Sequence, residues 1–431
     1  MRILHLSWEY PPVVYGGLGR HVHAMAEAQA ALGHEVTVLT QSPSGAVMPA
    51  PPAPAEETVH GVRVVRVERD PPTLEFCEEN LLGWVASLES AMTRRAMDAA
   101  DPLGDAADAP VVHAHDWMVS HVATALRDAW SAPLVATLHA TEAGRHQGWL
   151  PTSLSRAIHA VEGWLVHSAD GVITCSVHMR EEVSRLFNLP SSRIDVVPNG
   201  IDTRHWTPRR RDIAAARERY APHGPLVVYC GRLEWEKGVH TLIDALPRLR
   251  RRHPALRAVI AGRGGAMGSL LEQARERRVT SYTEFPGWLP ESELHALVGA
   301  ADALVVPSIY EPFGMVALEG AALGAPLVVA RSGGLSEVVV DGATGRTFAA
   351  GDVADLARAV GEALDDPPSS RAMAEAARRH VRRAHPWQAL AEQAVTAYRA
   401  AAEGRRSRGP LSPALPASPP AGNLLRDVTD N

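Results

Sequence analysis

Leu226-Val227-Val228-Tyr229-Cys230-Gly231-Arg232-Leu233-Glu234-Trp235-Glu236-Lys237-Gly238 opens with five apolar residues and breaks at a glycine into a charged loop. A continuous apolar run of this length reads as a central parallel strand, buried on both faces, that ends in a turn toward a helix. It follows the polar, arginine-rich stretch from Thr207 to Arg219, so a sheet starts afresh in mid-chain. Further runs follow at Arg257–Ala261, Thr283–Pro286, Ala303–Pro307, Leu327–Ala330 and Gly345–Phe348. Others precede it at Arg2–Ser7, Glu35–Thr40, Val62–Val67, Val111–Ala114, Leu134–Leu138, Gly171–Cys175 and Ile194–Pro198. Helix-like stretches separate them throughout. The class is therefore α/β, with two consecutive doubly wound sheets covered by helices.

The turn Asn199-Gly200-Ile201-Asp202 and the polar stretch after it place the hinge between two domains, 1–205 and 206–383. Trp387, Leu390, Ala391, Ala394 and Tyr398 recur at helical spacing, which predicts a helix over 384–403 that packs back across the boundary. The basic and proline-rich segment 404–431 is expected to be disordered, and the Pro/Ala-rich stretch from Ala46 to Glu57 to be a surface loop.

With 431 residues, 46% of them apolar and 21% charged, the chain has the composition of a folded protein of several domains. Its net charge of -6 offers no broad positive field for nucleic acid. Cys77, Cys175 and Cys230 are too scattered for a disulfide framework or a paired-cysteine metal site, which fits a reducing cytoplasm. No run reaches the roughly 18 to 20 apolar residues that cross a bilayer, and the start of the chain reads as a strand, not a signal peptide.

Doubly wound sheets bind ligands at the carboxyl ends of their strands, so two facing sheets put the site in the cleft between them. After the first strand, Gly16-Gly17-Leu18-Gly19 precedes a helix-like run from Arg20. Its backbone N–H groups could meet a phosphate, or the glycines could simply make a tight turn. His113-Ala114-His115-Asp116-Trp117 closes another strand. With no third ligand spaced nearby, a cleft-facing polar strand end is favoured over zinc. His139 and the loop through Thr141, Glu142 and Arg145 suit a polyhydroxylated ligand. Arg232 and Lys237 stand at a strand end where they can neutralise a diphosphate. In Pro307-Ser308-Ile309-Tyr310-Glu311-Pro312-Phe313-Gly314-Met315-Val316-Ala317-Leu318-Glu319 the order is strand, loop, glycine, helix, with two carboxylates eight residues apart. The N–H groups from Gly314 to Val316 can cap a phosphate.

In this order, Gly16-Gly17, His115-Asp116-Trp117, His139, Asn199-Gly200-Ile201-Asp202, Arg232 with Lys237, and Glu311 with Glu319 resemble the retaining GT-B glycosyltransferases of family 4, from Arg2 to about Glu403. The strings SWEYPPVVYGGLGRHVHA and His139 to Gly148 are similar to actinobacterial α-(1→4)-glucosyltransferases of glycogen and methylglucose lipopolysaccharide synthesis. The resemblance implies two Rossmann-like domains facing across a cleft, the first for the acceptor and the second for a nucleotide-sugar donor. It implies that Arg232 and Lys237 hold the pyrophosphate, Glu319 the ribose and Glu311 the hexose. His139 would line the sugar pocket, and Gly17 would meet the distal phosphate. Trp288 and Leu289 would lie against the base, with Gly16, Phe313, Gly314, Met315 and Val316 completing the donor site. Asp116, Thr141, Glu142 and Arg145 would face the acceptor. Where glycogen synthases carry a lysine, this chain has Val14. Phosphate binding from the first half must then rely on backbone, which speaks against a dedicated starch or glycogen synthase.

The activity implied is retaining transfer of glucose from UDP- or ADP-glucose to an α-glucan, through an α-(1→4) bond, by front-face attack. No Asp-x-Asp occurs, so no metal and no cofactor are expected. The competing readings are another hexose donor or acceptor, a nucleotide-sugar 2-epimerase, which needs acid and base carboxylates but no acceptor, and a binding protein without turnover.

Overall fold

The computed structural model describes residues 1–45, 50–69, 74–98, 100, 102–105, 107 and 109–408. Its first sheet contains β1 (Arg2–Leu6), β2 (Glu35–Gln41), β3 (Glu56–Val59), β4 (Val62–Val67), β5 (Val111–His115), β6 (Leu134–Leu138), β7 (Gly171–Thr174) and β8 (Ile194–Val196), ordered β3-β4-β2-β1-β5-β6-β7-β8. The second contains β9 (Leu226–Cys230), β10 (Arg257–Ala261), β11 (Thr283–Gly287), β12 (Ala303–Val306), β13 (Leu327–Arg331) and β14 (Arg346–Ala349), ordered β11-β10-β9-β12-β13-β14. All neighbours pair in parallel except β3 with β4. Continuous burial of β9 and β12 explains their unbroken apolar sequences; β5 and β6 are buried throughout as well, although they carry His113, His115 and Thr137.

In both sheets the strand order reverses beside the first strand. Leu6 of β1 lies opposite Leu39 on one side and Ala114 on the other. Val228 of β9 likewise lies between Val259 and Leu304. Crevices form at such switch points, beyond the carboxyl ends of the strands. The residues emerging there are Trp8-Glu9 and Asp116 from the first sheet, and Gly231-Arg232 and Pro307-Ser308 from the second.

The strand β3 was not anticipated. Glu56 and Glu57 belong to it, not to the surface loop, and they pair antiparallel with Val65 and Val64; positions 46–49 of that loop lie outside the described residues. The arginine-rich stretch near the hinge is also more ordered than a linker. It contains the helix Arg210–Tyr220, which buries Ala216 and Tyr220.

The C-terminal helix spans Trp387–Arg408 and so continues through Gly404 to Arg408, five residues beyond the expected end. The remainder of the segment called disordered, 409–431, lies outside the described residues. This helix packs against the first sheet: Tyr398 is fully buried and bonded to His113 on β5, and Ala401 covers Gly171. The chain crosses back at His385–Trp387, beside Asn199–Ile201, where the Ile201 N–H donates to the His385 carbonyl at 2.9 Å. Trp387 lies so close to Gly200 that a Cβ there would collide with its ring.

Candidate active site

Two loops of the second half are sewn together by backbone bonds. The N–H groups of Ile309 and Tyr310 donate to the Glu236 carbonyl at 2.8 and 3.2 Å. Gly238 permits this approach, since at its φ of 66° a Cβ would run into the Pro307 carbonyl. The pairing aligns the charged groups. Lys237 Nζ donates to Glu311 Oε2 at 2.9 Å, and Ser308 Oγ donates to the same oxygen at 3.0 Å. Arg232 lies 3.1 Å from Glu236 Oε1, and Arg145 from the first half lies 3.7 Å from that oxygen.

Glycine at 314, with φ of 106°, starts the helix Met315–Leu323. A Cβ placed on Gly17 would lie 3.4 Å from Met315 Cγ, so the two glycine-led helix starts face each other. Arg232 also acts across the gap: burial pushes the Glu9 carboxyl up, while the N–H groups of Tyr15 and Gly16 and the charge of Arg232 oppose it. Arg232, the Gly314 helix start and the glycine loop of the first half therefore come together where the halves meet, and Lys237 joins them through Glu311. Glu319 meets Arg20 of the first half at 2.6 Å, and burial raises its carboxyl against the pull of that guanidinium.

Several assigned residues do other work in the structure. The N–H groups of Tyr15 and Gly16 donate to Glu9 Oε2 at 2.8 and 3.0 Å, so Gly16 spends its donor on a buried carboxylate and not on a phosphate. The Phe313 side chain is buried edge-on against His385, leaving only its backbone for a donor. Thr141 is wholly buried and presents no surface to an acceptor sugar: its hydroxyl donates to Glu182 Oε1 at 2.6 Å and accepts from the Gly144 N–H, capping the helix Glu142–Arg145. Glu142 pairs with His146 at 3.1 Å. Trp288 is 59% exposed, while Leu289 packs on the core.

Asp116 is held at φ 62°, ψ 178°, a region that costs a non-glycine residue about 1–3 kcal/mol and marks functional turns. Its Oδ1 accepts the His139 backbone N–H at 2.6 Å, which fixes the start of the His139 loop. Burial raises the Asp116 carboxyl to about 7, against that hydrogen bond and Arg145. Burial likewise lowers His139 to about 4, so its ring is neutral near pH 7.

A third histidine does accompany His113 and His115 in three dimensions, although none is spaced near them in sequence. His5, His113 and His115 form one group, and His21, His115 and His139 another, each with ligand atoms within 4.8 Å of one another. The rings fit hydrogen bonds better than zinc. His5 Nδ1 and His115 Nε2 are 3.0 Å apart, shorter than the about 3.3 Å between two nitrogens on a tetrahedral zinc.

Sequence reasoning gave no role to Glu9, Arg20, Tyr310 or Glu182. Tyr310 Oη accepts the Thr141 N–H at 3.1 Å and donates to Glu182 at 2.8 Å, linking the halves. Nearby, the Glu337 carboxylate caps the helix Val177–Phe187 by accepting from the Val177 and His178 N–H groups. Tyr310→Phe strands the buried Thr141 N–H and takes one of two donors from Glu182 Oε1, a loss of about 1–3 kcal/mol. A lower thermal midpoint and a larger radius in X-ray solution scattering are the expected results; an unchanged midpoint would show that the link carries no stability.

The model of glycosyl transferases group 1 matches residues 212–380, and that of glycosyltransferase family 4 matches residues 15–205. A protein named glycogen synthase from Mycobacterium tuberculosis is 47% identical over 96% of this chain and 98% of its own. Among solved structures, sucrose-phosphate synthase from Thermosynechococcus elongatus aligns over 92% of this chain and 98% of its own with a TM-score of 0.76 at 24% identity. The catalytic domain of Arabidopsis thaliana starch synthase IV, bound to ADP and acarbose, aligns over 93% and 99% with a TM-score of 0.75 at 18% identity. The chain belongs to the family 4 glycosyltransferases of the GT-B fold and is a hexosyltransferase. The name of its mycobacterial relative weighs against the inference drawn from Val14. No helix among the described residues is long and apolar enough to cross a membrane.

Proposed function

We propose that this enzyme transfers glucose from UDP- or ADP-glucose to a hydroxyl of an α-glucan, with retention, through an α-(1→4) bond and without a metal ion. The observation that carries the reading is the shared gap bordered by Arg232, Lys237, the helix start at Gly314 and the glycine loop at Gly17. A diphosphate is the anion such a gap suits, because its charge grows as the sugar leaves and the donors are already placed. The mycobacterial relative's name supports a glucan acceptor.

In this reading the donor's C1–O bond breaks and its electrons pass to the diphosphate, which Arg232 and Lys237 stabilise. The acceptor oxygen attacks C1 from the same face and loses its proton to a diphosphate oxygen, so configuration is retained. Glu311 orients the hexose, Glu319 takes ribose hydroxyls in place of Arg20, and Trp288 stacks on the base. Asp116 and Arg145 border the acceptor side. A reducing cytoplasm fits the three cysteines, which form no disulfide.

Incubating UDP-glucose or ADP-glucose with maltooligosaccharides in excess EDTA tests the reading. One donor should give nucleoside diphosphate and a chain longer by one hexose, with an α-anomeric proton signal and no loss of rate to the chelator. A rate abolished by EDTA overturns the metal-free step. An altered sugar without acceptor points to epimerisation, and binding without turnover overturns transfer.

A further inference from the structure

Behind the cleft, buried rings join β1, β5 and β6 to the helices Gly17–Ala31 and Trp387–Arg408. His115 Nδ1 lies 3.1 Å from His139 Nε2, and His115 Nε2 lies 3.0 Å from His5 Nδ1. His5 Nε2 in turn lies 2.8 Å from Gln29 Oε1. The Gln29 amide nitrogen donates to Tyr398 Oη at 3.0 Å. Tyr398 Oη is 2.7 Å from His113 Nδ1, and His113 Nε2 is 2.7 Å from Thr137 Oγ1. His5, His113, His115, Gln29 and Tyr398 are all buried, so water offers these groups little substitute.

Each neutral imidazole has one N–H and one lone pair, and the partner of one nitrogen decides the state of the other. Burial disfavours charge on His5, His113, His115 and His139 alike. The order of protons then follows from Gln29. With the Tyr398 hydroxyl hydrogen donated to His113 Nδ1, Tyr398 Oη accepts from the Gln29 amide nitrogen, so the Gln29 carbonyl oxygen, an acceptor only, faces His5 and puts the His5 proton on Nε2. His5 Nδ1 must accept from His115 Nε2, and His115 Nδ1 must accept from His139 Nε2. His139 is left with an unprotonated Nδ1, which no described residue hydrogen-bonds. Turning the Gln29 amide over would reverse every proton along the chain, so whatever holds that amide also sets the face His139 presents.

We propose that Gln29 and Tyr398 are positioning residues for transfer: they hold the His139 proton on Nε2, so that His139 offers the hexose an acceptor nitrogen. The C-terminal helix thereby contributes to the sugar pocket without touching it. This rests on the placement of His139 in that pocket.

The test is the nitrogen spectrum of the full-length protein carrying ¹⁵N-histidine, with the His139 signals assigned by their loss in His139→Gln. Wild type should show a protonated Nε2 and a bare Nδ1. Tyr398→Phe and Gln29→Met keep the volume but release the amide or remove it. Both should give a mixture of His139 tautomers and lower kcat by about tenfold, with KM for the donor within about twofold. A wild-type proton on Nδ1 overturns the proposal, even if neither variant folds. An unchanged kcat in a folded Tyr398→Phe also overturns it, since a merely structural role would lower stability alone. If instead His139→Gln keeps full activity, the placement of His139 in the sugar pocket fails, while the spectrum still reports the proton order.

Discussion

Replacing Lys237 with alanine is expected to lower kcat by about a hundred- to a thousandfold at saturating donor. Its ammonium is held on Glu311, three residues before the glycine that starts the helix Met315–Leu323, and in the proposed mechanism loss of one preorganised donor to the developing oxyanion costs about 2.7–4 kcal/mol in the transition state. Arg232→Ala should fall in the same range. The double variant should lose less than the product of the two effects, because both cations act on one diphosphate. Donor binding should suffer less than turnover, since charge on the diphosphate rises as the sugar departs. Steady-state kinetics with nucleotide release as readout checks this. Wild-type kcat in both single variants would mean that the gap does not hold the leaving group.

The physical reach of each feature explains what could be read in the chain beforehand. Central strands such as β9 and β12 advertise themselves because burial on both faces demands unbroken apolar sequence. Glu56-Glu57-Thr58-Val59 carries no such signal, being a mostly exposed edge held by backbone pairing with β4. The helix Arg210–Tyr220 did leave a trace, since Ile213, Ala216 and Tyr220 recur at helical spacing within the arginine-rich stretch.

Site residues divide in the same way. Arg232, Lys237, Glu311 and Gly314 stand out as candidates because loop, glycine and helix follow one another in sequence. Arg20 and Glu319 are 299 positions apart, and nothing local to either predicts their pairing. The histidine chain depends on strand register: His5 lies opposite His113, and His115 opposite Thr137, only because β1, β5 and β6 pair with these offsets. Glu9 could have been noticed as a carboxylate just before a glycine loop. Its capture of the Tyr15 and Gly16 N–H groups nonetheless follows from its burial, which forces a polar group to find donors nearby.

Glu311→Ala should abolish transfer, with a loss of about a thousandfold or more, while the fold persists. The carboxylate is held in one orientation by Lys237 at 2.9 Å and Ser308 at 3.0 Å, and the backbone around it is fixed independently. Ile309 and Tyr310 are tied to Glu236, and the Gly334 N–H donates to the Glu311 carbonyl at 2.9 Å, so removing the side chain does not release the loop. What is lost in the proposed reading is the charged acceptor that orients the hexose, together with the partner that keeps Lys237 in place. Glu311→Gln separates these contributions. It retains shape and a hydrogen-bonding oxygen but removes the charge, so a loss near that of alanine would assign the effect to electrostatics, and a small loss would assign it to orientation. Circular dichroism and thermal midpoints near wild type would show that the fold is intact. A folded Glu311→Ala enzyme with full turnover would remove Glu311 from the sugar site and leave its ion pair with Lys237 as a purely structural contact.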